Sequence, residues 1–228
     1  MRPVGDMDLH SILTTISIAA IPLVFAITVH EVAHGWVAKQ FGDRTAEMLG
    51  RLTLNPIRHV DPIGTILVPG ILLLTQSSFM FGWAKPVPVD PRNMRNPRGN
   101  MVLVSAAGPM SNLLMATIWA FIMMVNQDNV GGVTGEWLAR MAQYGIFFNI
   151  MLAVFNMLPI PPLDGGQVLT NLLPPGPVSD FLRRMAPFGF FILLGLIFTR
   201  LLWPLIAPPS AFLLSLLVGL FGLRLMPF

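Results

Sequence analysis

His30, Glu31 and His34 form an H-E-x-x-H motif inside an apolar run from Ile12 to Ala38. Residues four apart share one face of a helix, so the two imidazoles can offer nitrogens to a single ion. Zn²⁺ suits such a pair, with Zn–N distances of about 2.0–2.1 Å. Glu31 flanks the same face and is the candidate base for a metal-activated water. A histidine on an apolar helix is more often a hydrogen-bonded core residue. Ionisable groups inside a membrane segment are costly, however, and where they persist they serve function; here three fall within five positions.

The elements that must position this motif follow from composition. The chain of 228 residues is 54% hydrophobic and 11% charged, with a mean hydropathy of +0.69. Soluble domains carry about 25% charged residues, so the composition predicts an integral membrane protein. No hydrophilic stretch is long enough for a separate soluble domain. The prediction is one all-α polytopic domain over 1–228, with a catalytic core of 11–166 and C-terminal helices over 180–226. Its net charge of +3 does not point to nucleic acid, because Arg in the short loops of an apolar chain follows the positive-inside rule. The absence of cysteine excludes disulfides, thiolate ligands and a Cys nucleophile. The first apolar run is too long for the core of a signal peptide and is expected to be retained.

Along the chain, Ser11–Gln40 is the first predicted span, with the motif near its C-terminal end. Lys39, Arg44, Arg51 and Arg58 follow and place that end on the cytoplasmic side. Pro62–Met80 is long enough to cross, yet Pro69-Gly70 divides it. Asn100–Val125 and Trp137–Leu158 are clear spans. Phe188–Trp203 and Ala211–Leu225, separated by a break at Pro208-Pro209, bring the total to about five or six. Small residues from Ser105 to Asn112 would let a neighbouring helix approach closely.

A catalytic zinc site usually takes three protein ligands. His10 precedes the first span, and His59 sits in a charged loop beside Arg58 and Asp61, where a loop role is the simpler reading. Asp164 is the better candidate, in a Pro-rich break after a span and followed by Gly165-Gly166. The competing reading is an ordinary Asp-Gly turn at a helix end. Topology favours ligation. If Pro62–Met80 is a re-entrant hairpin, Asp164 emerges on the motif's side; if it spans, Asp164 lies about 30 Å away. The hairpin also keeps Lys39, Arg44, Arg51, Arg58, Lys85, Arg92, Arg95, Arg98, Arg183 and Arg184 inside, with Arg2, Arg140 and Arg200 outside.

Taken together, His30-Glu31-x-x-His34, Gly108-Pro109-x-x-Asn112 and the run from Asn156 through Leu163-Asp164-Gly165 resemble the site-2 proteases, zinc metalloproteases that cut substrates within the membrane. The pieces stand in that family's order from about Ile12 to Gly166. Phe81 to Val89 is similar to the compact prokaryotic branch without PDZ or CBS modules. The resemblance implies one zinc per chain on His30, His34 and Asp164, Glu31 as general base, single-span membrane proteins as substrates, and a prokaryotic cell membrane as the setting.

The expected chemistry is peptide hydrolysis without a covalent intermediate, the proton passing through Glu31 to the leaving amine. Asn112 or Asn156 could support the oxyanion; an interhelical hydrogen bond is the alternative for each. Trp83–Asp90 is expected to form a short β-like loop near the cytoplasmic face. Pro86 and Pro88 remove donors from one edge only, leaving Val87 and Val89, beside Lys85, to bind an extended substrate. A proline-stiffened interfacial loop anchored by Trp83 is the competing reading. The main functional rival is a divalent-metal transporter, which would spread polar residues along several spans; here they gather at one depth. Besides substrate, the expected partners are the lipid bilayer and a regulatory membrane protein or a second copy.

Overall fold

A computed structural model describes residues 9–75, 82–129 and 132–226. The lead Met1–Asp8, the end of the Pro62–Met80 segment and Phe81 lie outside the described residues. The helices are α1 (Leu9–Gln40), α2 (Thr45–Met48), α3 (Val68–Leu74), α4 (Pro97–Asn126), α5 (Val133–Asn156), α6 (Asp164–Leu172), α7 (Pro177–Met185), α8 (Gly189–Phe198) and α9 (Leu202–Phe221). No strand occurs among the described residues. Among the described residues, five stretches are long and apolar enough to cross a membrane: Ile18–Gln40, Pro97–Asn126, Thr134–Asn156, Pro177–Phe198 and Leu202–Phe221. The protein is an all-α polytopic membrane protein.

The chain forms two compact units. The first comprises the chain to Ala26, Asn112–Phe155 and the chain from Gly195. Small residues set its packing: Ala116, Ala120 and Ala142 are fully buried, and a Cβ on Gly145 would lie 2.4 Å from the Trp119 ring. Asn112 Nδ2 donates to Ala26 O at 3.1 Å and to Asn149 Oδ1 at 2.9 Å, a polar tie between helices where no water competes. Pro208-Pro209 lies within α9 rather than breaking the chain, and α9 starts at Leu202 rather than Ala211. A membrane helix tolerates such prolines where neighbouring groups satisfy the freed carbonyls.

The second unit comprises Ile27–Ser111 and Asn156–Leu194. The short helix after Asp61 runs from Pro62 through a π-helical turn into α3 and ends at Leu74, about 20 Å by its residue count. That is less than the hydrocarbon core of about 30 Å. Trp83 N donates to Gly64 O at 3.0 Å, and the Trp83 ring covers Gly64 where a Cβ would come within 2.3 Å. Trp83 thus lies beside the start of this helix, and Pro69-Gly70, expected to divide the segment, lies inside α3.

From Trp83 to Asp90 the backbone forms neither helix nor paired strand, and side chains and turns hold it instead. Thr65 Oγ1 donates to Trp83 O at 2.8 Å, and Lys85 N donates to His59 O at 2.9 Å. At the far end Asp43 fixes it: Oδ2 accepts from Asp90 N at 2.7 Å, and Oδ1 accepts from Asn93 Nδ2 at 2.9 Å and from Thr45. Asp43 follows Gly42, whose φ of +106° turns the chain off the end of α1. Behind this loop, Ala38, Met94 and Val104 form a buried cluster with Val37, Phe41, Val89 and Met101 packed on it.

Asp43 has no exposed surface, and burial raises its pKa; hydrogen bonds from Asn93, Thr45 and the Asp90 amide outweigh this and lower it overall. Its stabilising effect is therefore complete above the ordinary Asp pKa of about 3.9 and is lost as pH falls through the lower native value. Asp43→Ala should cost about 1–3 kcal/mol by removing the buried acceptor shared by several part-buried donors. Thermal unfolding in detergent at pH 7 and at pH 3 checks this: the gap between wild type and variant should narrow in acid.

Candidate active site

Helix α1 places His30 and His34 one turn apart, and both are buried. Their Nε2 atoms lie 3.1 Å apart. Asp164 opens α6, and its Oδ2 lies 3.2 Å from His30 Nε2 and 3.4 Å from His34 Nε2. Ligand atoms on a tetrahedral zinc with bonds of about 2.0–2.1 Å stand about 3.3 Å apart, so the three atoms already trace one face of such a tetrahedron. His34 Nδ1 donates to Val104 O at 2.7 Å, which leaves its Nε2 with a lone pair for a cation. Asp164 Oδ2 is buried and accepts no hydrogen bond. Three lone-pair donors facing one point fit a metal ion, and these are the three residues among those described that could hold one.

Two glycine contacts make this convergence possible. A Cβ on Gly108 would lie 2.4 Å from His34 Nε2 and 2.6 Å from His30 Cε1, so α4 can present only a bare backbone to the imidazoles. A Cβ on Gly165 would fall 2.2 Å from Met157 O, which explains how the chain after Asn156 folds tightly enough to turn Asp164 inward.

Glu31 lines the same cavity, of about 470 Å³, with His30, His34, Val87, Asn156 and Asp164. Its Oε2 accepts a hydrogen bond from Val87 N at 2.7 Å, and Oε1 has no partner among the described residues. This corrects the expectation that the Val87 donor is free for an extended substrate: it is spent on Glu31, on the edge where Trp83 and Lys85 also donate within the chain. The physical reason is that the segment lies directly against α1, with Val87 on Gly35, where a Cβ would come within 2.8 Å of Val87 Cγ1. Val89 lines the cavity and its N–H takes no partner among the described residues. The Lys85 side chain is exposed and does not line the cavity. Asn156 lines it, whereas the Asn112 amide serves the helix contacts described above. His59 is buried, with Nε2 donating to Thr53 O at 2.9 Å, a loop role rather than ligation.

The sequence marked Gly108 as a small residue for helix packing and as part of the Gly108-Pro109-x-x-Asn112 match, without its contact to the imidazoles, and gave no role to Gly35 or Val104. Gly35, next to the motif, carried a signal; a backbone carbonyl such as Val104 O carries none.

The profile of peptidase family M50 matches residues 18–136 and 125–196. The chain belongs to this family, the site-2 proteases, and is a membrane metalloprotease. It is 39% identical over 223 residues, 95% of this chain and 98% of the relative, to "Putative zinc metalloprotease YwhC" of Bacillus subtilis. It is 29% identical to "Putative zinc metalloprotease Rip2" of Mycolicibacterium smegmatis, over 77% of this chain and 64% of the relative. "Putative zinc metalloprotease MJ0611" of Methanocaldococcus jannaschii is 36% identical over 66 residues, 29% of this chain and 31% of the relative. No solved structure matches the chain.

Gly108→Ala should displace both imidazoles and weaken zinc binding by at least about tenfold, the scale seen when ligand support is disturbed. Competition with a chromophoric chelator measures this, and unchanged affinity would show that α4 can yield at this point.

Proposed function

We propose that the protein hydrolyses peptide bonds of single-span membrane proteins, with one zinc on His30, His34 and Asp164 and with Glu31 as general base. The observation that carries the reading is the convergence of His30 Nε2, His34 Nε2 and Asp164 Oδ2 within 3.4 Å, beside a carboxylate facing the same cavity. Zinc held there would supply Lewis acidity and make water acidic enough to ionise near neutral pH. Glu31 does the proton work. Val87 N holds Oε2, so Oε1 is the atom that accepts the proton from the attacking water and returns it to the leaving amine nitrogen. Asn156, on the cavity wall, offers an amide to the developing oxyanion.

A substrate helix must unwind before its peptide bonds can enter, and a cavity of about 470 Å³ suits a short extended stretch rather than an intact helix. The Val89 amide and the cavity wall around it are the contacts we assign to that stretch. We place the site towards the cytoplasm in a prokaryotic cell membrane, on the strength of the Lys and Arg residues in the loops that follow α1 and precede α4. A regulatory membrane partner or a second copy would control access.

Glu31→Gln keeps the size of the base and removes its basicity. It should retain one zinc per chain by elemental analysis and lose at least about 100-fold in cleavage of a single-span substrate. Chelation should abolish wild-type cleavage, and added zinc should restore it. Cleavage by Glu31→Gln at the wild-type rate would remove Glu31 from the mechanism.

A further inference from the structure

Arg51 is 8% exposed, yet among the described residues it has no carboxylate partner. Its terminal nitrogen Nη2 donates to two backbone carbonyls, Lys85 O at 2.8 Å and Pro86 O at 3.4 Å, and its Nε has no partner. Burying a guanidinium without a counter-charge is costly, and an apolar residue of similar size would serve stability at least as well. The turn that carries it is nevertheless well made. Gly50, at φ +63°, closes the end of α2, and Arg51 N donates to Ala46 O at 2.8 Å. Lys39 and Arg44 both reach Glu47 at 2.7 Å and hold α2 in place. The guanidinium thus projects from a fixed base onto the carbonyls of the two residues before Val87.

Those contacts continue directly to the candidate base. The carbonyl of Pro86 belongs to the peptide group whose nitrogen is Val87 N, and that N–H donates to Glu31 Oε2 at 2.7 Å. A cation on the carbonyl oxygen of an amide polarises the group and strengthens its N–H as a donor, as in chained hydrogen bonds. Pro86 and Pro88 confine the backbone on either side, so little else in the segment can adjust. We infer that Arg51 is a positioning residue, which acts through the Pro86–Val87 peptide to fix Glu31 with Oε2 engaged and Oε1 turned to the cavity. The inference rests on the reading of Glu31 as the base, although the contact itself can be tested without activity.

The test combines hydrogen exchange with kinetics on the full-length protein in detergent. A peptide covering Lys85–Asp90 has few exchangeable amides, because Pro86 and Pro88 have none. Arg51→Met keeps bulk and removes the charge, and Arg51→Lys keeps a single-point donor. In Arg51→Met, and equally in Glu31→Ala, the Val87 amide should lose protection by about one deuteron per chain, while the Asp90 amide held by Asp43 stays protected. Zinc content should be unchanged. On a single-span substrate, Arg51→Met should lower kcat at least tenfold with KM within about twofold, and Arg51→Lys should recover part of the loss. Because both changes act on one contact, Arg51→Met combined with Val87→Pro should be no slower than Val87→Pro alone.

Unchanged Val87 protection in Arg51→Met overturns the proposal, whether or not the wild type cleaves the substrate. So do a loss confined to KM, multiplicative losses in the double variant, or loss of zinc or of the folded state in both Arg51 variants. If the wild type fails to cleave, the protease reading is in question while the exchange result still decides the contact.

Discussion

The second unit depends on how closely α4 approaches the two imidazoles of α1. At Gly108 there is no room for a single methyl group, since a Cβ would lie 2.4 Å from His34 Nε2. The same approach brings Val104 O within 2.7 Å of His34 Nδ1, so one contact sets both ring orientation and tautomer. Proline at 109 in the next position gives up a helix hydrogen bond there. An apolar helix pair would bury more surface with larger side chains. This one trades that packing for a backbone surface against which two nitrogens can be aimed.

The loops around the site follow a related logic. Where water is scarce, an extended backbone must find partners for its N–H and C=O groups or remain at the surface. The segment from Trp83 to Asp90 finds them one at a time: Gly64, Thr65, His59, Arg51, Glu31 and Asp43 each take one or two groups. A sheet would satisfy the same groups more economically. Single partners instead let the Val87 amide reach the Glu31 carboxylate, which a paired strand could not do on the same edge.

Much of this was legible in sequence, for identifiable reasons. The H-E-x-x-H spacing sets a shared helix face by geometry alone, and three ionisable groups in an apolar run mark it as something other than core. Asp164 could be reached through topology, since loop charge favoured a hairpin over a span at Pro62–Met80; the expected division at Pro69-Gly70 did not occur, because both residues lie inside α3. The C-terminal helices were less legible. Pro208 and Pro209 read as a break by soluble-protein rules, whereas α9 runs through them. Val87 and Asn112 were misjudged or left open because period and composition say which edge a donor lies on, but not which group in the rest of the chain meets it.

The sequence by itself determined that this is a membrane protein with two histidines and a glutamate close together on one apolar helix, because residue spacing and hydropathy act locally and need no knowledge of distant partners. Tertiary structure alone decided that three ligand atoms stand within 3.4 Å, that Gly108 is the point of closest approach, and that Arg51 and Val87 lead to Glu31. Those facts depend on backbone carbonyls and amides brought together from separate segments, and every residue carries the same backbone groups whatever its side chain.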